Sequence, residues 1–286
     1  MQLDKDQHQK KIEKFINRMP SLSTTVGKVL EICSRTDASP NELNKVVSLD
    51  PVLTGQVLKL INSSYYSLVA KVTSLTRAIT MLGMNTVKNM ALSTAVIRTV
   101  SSAKKSKVLP TRKFWAHSIG VGACAKLLAV TKEVPVMERE EYFVAGLLHD
   151  LGKVPFGDEY SEVLEVARKE QASLVEVERQ LLGIDHQEVG LMIAEKWKLN
   201  PVIRDCIGNH HQAEQSGEDH RRQIALVSLA NIYINIFDIG YAGDSFPREE
   251  SIVPLLEMGG LSWEEYAGVR EDVENEIERA QIFLQI

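Results

Sequence analysis

Residues 39–64 read SPNELNKVVSLDPVLTGQVLKLINSS, and the helix signals in this stretch decide the fold class. Ser39, Pro40 and Glu42 combine an N-cap serine, a proline at the first helical position and a glutamate placed to close a capping box. Leu43, Val46 and Val47 then supply an apolar stripe. Asp50-Pro51 repeats the device, and Leu53, Val57, Leu60 and Ile61 follow at helical spacing. The run ends at Asn62-Ser63-Ser64, whose short polar side chains compete for backbone hydrogen bonds.

The same signals recur outward from here. Ser74 opens a short helix with Gly83 as its left-handed C-cap, and Asn85 caps another. Ser173-x-x-Glu176, Asp185-x-x-Glu188, Asn200-Pro201 and Ser262-x-x-Glu265 mark later starts. Helices are predicted near 112–130, 139–151, 159–170, 174–182, 186–198, 201–211 and 221–238, with two more after Pro247. The last of these, with Tyr266, Val269, Val273, Ile277 and Ala280 inward, reads as a packing brace. Alternating β-branched runs bounded by Asn-Gly or Asp-Gly are absent, so the chain reads as all-α. Between them, VSSAKKSKVLPTRK at 100–113 loses periodicity and gains charge, which marks it as a linker between two helical lobes.

Composition narrows the function classes. The 286 residues, 44% hydrophobic and 25% charged, suit a globular body with a large core. Lys+Arg number 33 against 38 Asp+Glu, a net charge of −5, which predicts neither a nucleic-acid coat nor an anionic membrane partner. Cys33, Cys124 and Cys206 are too few for a disulfide framework and too scattered for a C-x₂-C metal pattern, as expected in a reducing cytoplasm. The opening MQLDKDQHQKKIEKF lacks the apolar stretch of a secretory signal. No G-x-S-x-G, Walker-type or dinucleotide pattern is present.

Five of the seven histidines fall between His117 and His211. His149 and Asp150 close the apolar run YFVAGLLHD, and their spacing from Tyr142, Phe143, Ala145 and Gly146 turns both inward. A buried aspartate needs a metal, a cationic side chain or several backbone donors. His117 shares a stripe with Val121, Cys124 and Leu128. His186 opens a helix after Asp185, and His210-His211 ends one that carries Val202, Ile203, Cys206 and Ile207. Each histidine also has a plain structural reading: a satisfied core residue at His117, a capping position at His186, dipole compensation at His210 and His211. Together they form a plausible nitrogen-and-oxygen site for one or two Fe, Mn or Zn ions. His8 and His220 lie in charged, polar surroundings and read as solvated.

The sequence at this point resembles the bacterial HDOD family, a relative of the HD and HD-GYP metal-dependent phosphohydrolases. One block is MPSLSTTVGKVLEI, VVSLDPVLTGQVLKLINSSYYS and SLTRAITMLGMNTVKNMAL. The other is FWAHS, GLLHDLGK, DHQEVG, NHH and VSLANIY. The likeness covers about residues 13–235: an N-terminal lobe to about 100, the linker at 100–113 and an HD-like lobe over 114–235, with 236–286 as a C-terminal helical extension. It implies a two-lobed, HD-domain-like helical body and a role in signal transduction, many members being scaffolds rather than enzymes. It also implies that His117, His149, Asp150, His186, His210 and His211 bind metal and that Lys153 contacts substrate phosphate. Asn231 stands where the relatives close the site with aspartate, and an amide oxygen is a weaker ligand. After His211 the chain reads QAEQSGEDHRRQ, without the Gly-Tyr-Pro segment associated with cyclic di-GMP cleavage. The leading expectation is a regulatory module that binds a protein partner or a small messenger, and the alternative is a metal-dependent phosphohydrolase.

Overall fold

The start signals act as the sequence predicts. The hydroxyl of Ser39 accepts from the Glu42 amide at 3.2 Å while the Glu42 carboxylate accepts from the Ser39 amide at 3.0 Å. Asp50 Oδ1 accepts from the Leu53 amide at 2.9 Å. Reciprocal boxes also form at Asp185–Glu188 and Ser262–Glu265, whereas Ser173 makes no such side-chain bond. The computed structural model describes residues 5–102, 107–244 and 252–285, which contain no strand.

The helices are α1 (Lys5–Arg18), α2 (Thr24–Ser34), α3 (Pro40–Ser48), α4 (Pro51–Ile61), α5 (Leu75–Ser101), α6 (Thr111–Thr131) and α7 (Val136–Leu148). They continue as α8 (Tyr160–Glu170), α9 (Leu174–Leu181), α10 (His186–Lys196), α11 (Pro201–Asn209), α12 (Arg221–Ile236), α13 (Ile252–Gly259), α14 (Trp263–Ala267) and α15 (Arg270–Ala280). Short 3₁₀ segments cover Leu151–Glu159, Ala213–Gln215 and Gln281–Gln285.

One expectation about boundaries holds and one changes. The two helices expected on either side of Gly83 meet there as a kink within α5, where Gly83 is non-helical with the expected positive φ, +82°. Beyond that kink nearly every face of α5 is covered, from Val87 through Met90, Leu92 and Val96 to Val100. The single brace expected at the C-terminus is two helices, because the chain turns at Gly268 and restarts after Val269. Of the expected linker, residues 103–106 lie outside the described residues. At its ends, Leu109 is buried and Trp115 Nε1 donates to the Ser101 hydroxyl at 3.0 Å.

One apolar core runs from Ile12 and Val29 through α3–α5 into α7 and α10, and reaches Phe283. A second lies among α6, α12, α13 and α15. Although α6 is long and apolar enough to cross a membrane, most of it is inside the protein. Its closest neighbour is α7, and the crossing is made by paired glycines. A Cβ at Gly122 would lie 2.6 Å from the Phe143 carbonyl oxygen, and one at Gly146 2.7 Å from the Gly122 Cα. Only glycine permits backbones this close, and the approach sets His117 of α6 opposite His149 at the end of α7.

Asn62 shows how a turn residue pins a longer loop. Its amide nitrogen donates to the carbonyls of Leu58 at 2.7 Å and Val72 at 2.8 Å, while its oxygen accepts from the Val72 amide at 2.8 Å. Replacing Asn62 by alanine leaves the amide of the buried Val72 unpaired, so thermal unfolding should show a loss of about 1–3 kcal/mol. Metal bound per folded chain should stay at the wild-type level, and a fall there would contradict a purely structural role.

Candidate metal centre

Helix α7 stops at Leu148, earlier than its apolar pattern predicts, and the chain tightens into the 3₁₀ segment from Leu151. His149 and Asp150 therefore sit at a corner, both with no solvent exposure. Four imidazoles converge on Asp150. His117 Nε2 and His149 Nε2 lie 3.6 and 3.3 Å from Asp150 Oδ2, and His186 Nε2 and His210 Nε2 lie 3.5 and 3.6 Å from Oδ1. His211 joins the Oδ1 side, so the carboxylate stands between two donor groups, His117–His149 and His186–His210–His211. The expected convergence of His117 with His149 is met, their rings being 5.4 Å apart.

The remaining ring nitrogens show which atoms face the cavity. His149 Nδ1 lies 2.6 Å from the Gly146 carbonyl oxygen and His210 Nδ1 2.9 Å from that of Ile207. A carbonyl can only accept, so both Nδ1 atoms carry the proton and both Nε2 atoms present lone pairs. His186 Nδ1 meets the Glu178 carboxylate at 2.7 Å, which fixes the same tautomer. The Nε2 atoms of His186 and His210 then face each other at 3.2 Å with lone pairs opposed, an arrangement that calls for a cation between them. His117 Nε2, His149 Nε2 and Asp150 Oδ1 are buried without a hydrogen-bond partner. Two donors sharing one ion at about 2.0–2.2 Å stand about 3.0–3.6 Å apart. The spacings around Asp150 fall in that range and exceed ordinary hydrogen bonds, so the residues fit a metal.

Electrostatics agree with this reading. Burial pushes the His117 and His210 imidazoles down to about 3, against the pull of Asp150, which keeps them neutral and able to ligate. Burial opposes ionisation of Asp150, but neighbouring positive charge, with the Lys153 ammonium at 2.8 Å, outweighs it and holds the carboxyl well below the usual carboxylate range.

Several residues differ from their sequence readings. Lys153, expected to reach substrate phosphate, is fully buried with its ammonium 2.8 Å from Asp150 Oδ2. Asn231 does line the cavity with His210 and His211, as expected, but its Oδ1 accepts from Asn235 Nδ2 at 3.0 Å. His8 is buried, its Nε2 3.6 Å from Glu159, because α1 packs on the 3₁₀ segment, and His220 pairs with Asp205 at 2.8 Å. Neither of the last two is simply solvated.

The sequence reading also missed Glu178 and Asp244. Glu178 lies on α9 with no exposure and accepts from the His186 amide at 2.9 Å, from His186 Nδ1 and from the Tyr160 hydroxyl. A glutamate at a buried position of an amphipathic helix, beside Val175 and Val177, was the available signal. Such carboxylate–histidine pairs orient metal ligands, and Glu178→Gln should weaken metal affinity about 10- to 100-fold in a competition titration. An unchanged affinity would remove Glu178 from the site.

The HDOD domain family model matches residues 19–213. An uncharacterized protein of Treponema pallidum (strain Nichols) is 23% identical over 237 residues, covering 82% of this chain. The chain spans 45% of that protein's length. Among solved structures, an HDOD domain protein of unknown function from Geobacter sulfurreducens is 24% identical with a TM-score of 0.78, over 98% of this chain and 99% of that one. A candidate phosphohydrolase from Shewanella amazonensis SB2B is 21% identical with a TM-score of 0.70, over 95% of this chain and 97% of that one. Identities this low carry the helical fold and no more. The family match spans more than half of the 286 residues, and the chain therefore belongs to the HDOD domain family.

Proposed function

We propose that this chain is a bacterial, cytoplasmic signalling module whose centre of one or two Fe, Mn or Zn ions serves shape and response rather than rapid turnover. The observation that carries this reading is the placement of Lys153. Its buried ammonium is committed to Asp150 at 2.8 Å, and leaving that pair would strand two buried charges. A cavity of about 380 Å³ reaches His210 and His211, but Glu176, Glu214 and Asp244 line it beside Arg179. Arg179 is itself engaged by Asp185 at 2.6 Å. That wall repels a phosphoryl dianion and suits a protein segment or a small messenger of low negative charge.

The second reading is a metal-dependent phosphohydrolase, favoured by the same cavity because it opens directly on His210 and His211. A bound ion supplies Lewis-acid polarisation and a lowered pKa for water. The chain's own part is to keep His117 and His210 neutral, to fix His186 through Glu178 and to exclude solvent around Asp150.

Hydrolysis of a phosphomonoester, a phosphodiester and cyclic di-GMP, with Mn or Fe added, separates the readings. The signalling reading expects slow turnover of small esters at most, none of cyclic di-GMP, and loss of any activity in His149→Ala. Fast cyclic di-GMP cleavage abolished by His149→Ala would replace it with the enzymatic one.

A further inference from the structure

We infer that Asp244 is the second carboxylate of the metal centre and closes it on the His211 side, where position 231 offers only an amide. This rests on the reading of the histidine cluster as a metal centre.

The first reason is charge. Among the described residues Asp150 is the one carboxylate in the donor groups, and Lys153 cancels its charge at 2.8 Å. Neutral imidazoles add none, so one or two buried divalent ions would stand almost uncompensated, and buried charge without a counter-charge is costly. Two further buried carboxylates stand beside the cluster, Glu178 at His186 and Asp244 at His211. Glu178 is occupied by the His186 backbone and ring and by Tyr160. Asn231, a neutral amide whose Oδ1 accepts from Asn235, cannot supply the missing charge. Asp244 remains.

The second reason is geometry. Asp244 Oδ2 lies 3.7 Å from His211 Nε2, close to the separation of two donors around one ion, and its side chain is only 7% exposed. His211 Nε2 is buried with no hydrogen-bond partner, so the pair is not simply a hydrogen bond.

The third reason is how the chain brings Asp244 there. The turn after α12 is tied to α6 by the Tyr241 amide, which donates to the Lys113 carbonyl at 3.0 Å. Gly240, at φ +73°, packs so tightly on α6 that a Cβ would lie 2.2 Å from the His117 amide nitrogen. The segment ending at Asp244 is thus anchored to the helix that carries His117. A carboxylate fixed this way is preorganised toward the cluster, as a ligand must be.

The test compares wild type, Asp244→Asn, Asp244→Ser and the double variant Asp244→Asn/Asn231→Asp. Zn and Mn affinities come from competition titration, ion content from elemental analysis and apo-protein melting from circular dichroism. We expect Asp244→Asn and Asp244→Ser to weaken affinity at least tenfold, with the apo-protein midpoint unchanged or higher. Restoring a carboxylate at position 231 should recover much of the loss. Wild-type affinity in whichever neutral variant folds overturns the inference while leaving the metal centre standing. So does a loss that Asn231→Asp cannot rescue and that accompanies a lower apo-protein midpoint, since Asp244 would then be holding its turn. Wild type that binds no metal overturns the metal-centre reading itself, and this inference with it.

Discussion

Asp150→Ala should abolish metal binding and destabilise the protein together, the largest combined effect of any single substitution at the site. The first effect follows from position, because the carboxylate faces His117 and His149 with one oxygen and His186 and His210 with the other. The second follows from Lys153, which would be left as an unpaired buried charge at a cost of about 3–5 kcal/mol. The double variant Asp150→Ala/Lys153→Met separates the two. It removes both charges from an interior site, so it should recover most of the lost stability while remaining metal-free. Elemental analysis and denaturant unfolding of the metal-free proteins would show this. Recovery of metal in the double variant would mean that Asp150 is not a ligand.

Phe283→Ala should cost about 3–5 kcal/mol, the range for emptying a buried aromatic site. Phe283 is 1% exposed and its ring lies 4.8 Å from Phe143 of α7 and 5.4 Å from Tyr65 in the turn between α4 and α5. Tyr65 in turn lies beneath the Lys126 ammonium, 4.0 Å from the ring centroid, and Lys126 pairs with the buried Glu140 at 2.6 Å. One aromatic side chain from the last described turn thus joins the α4–α5 turn to α7. Thermal melting would register the loss, and the folded fraction should retain its metal. A cost below about 1 kcal/mol would place the C-terminal segment outside the cooperative core.

What could be read in advance followed from how local the physics was. Helix starts at Ser39, Asp50, Ser74, Asp185, Asn200 and Ser262 depend on side chains within three residues of the backbone groups they satisfy, and each forms its expected hydrogen bond. The inward turn of His117, His149, Asp150 and His210 was legible from four-residue apolar spacing. Motif order added His186 and His211 to the cluster, which spacing alone left open.

The misreadings come from distant partners. Lys153 is the exception, since its partner Asp150 is only three residues away, and what the local pattern did not show is that the pair would be fully buried. His8 sits in a run of charges, and only the docking of α1 on the 3₁₀ segment covers it. Asp244 lies in YAGDS, a stretch that looks like any polar turn until Gly240 is found against α6. Phe283 carries no periodic signal, being in a 3₁₀ turn after the last amphipathic helix.

The measurement that tests the metal centre most directly is elemental analysis of the wild-type protein purified without chelator or nickel affinity, with His149→Ala prepared in parallel. The account predicts one or two Fe, Mn or Zn ions per wild-type chain and a clear loss in the variant. Well-folded wild-type protein that carries no metal and takes up none from added Fe, Mn or Zn would contradict it.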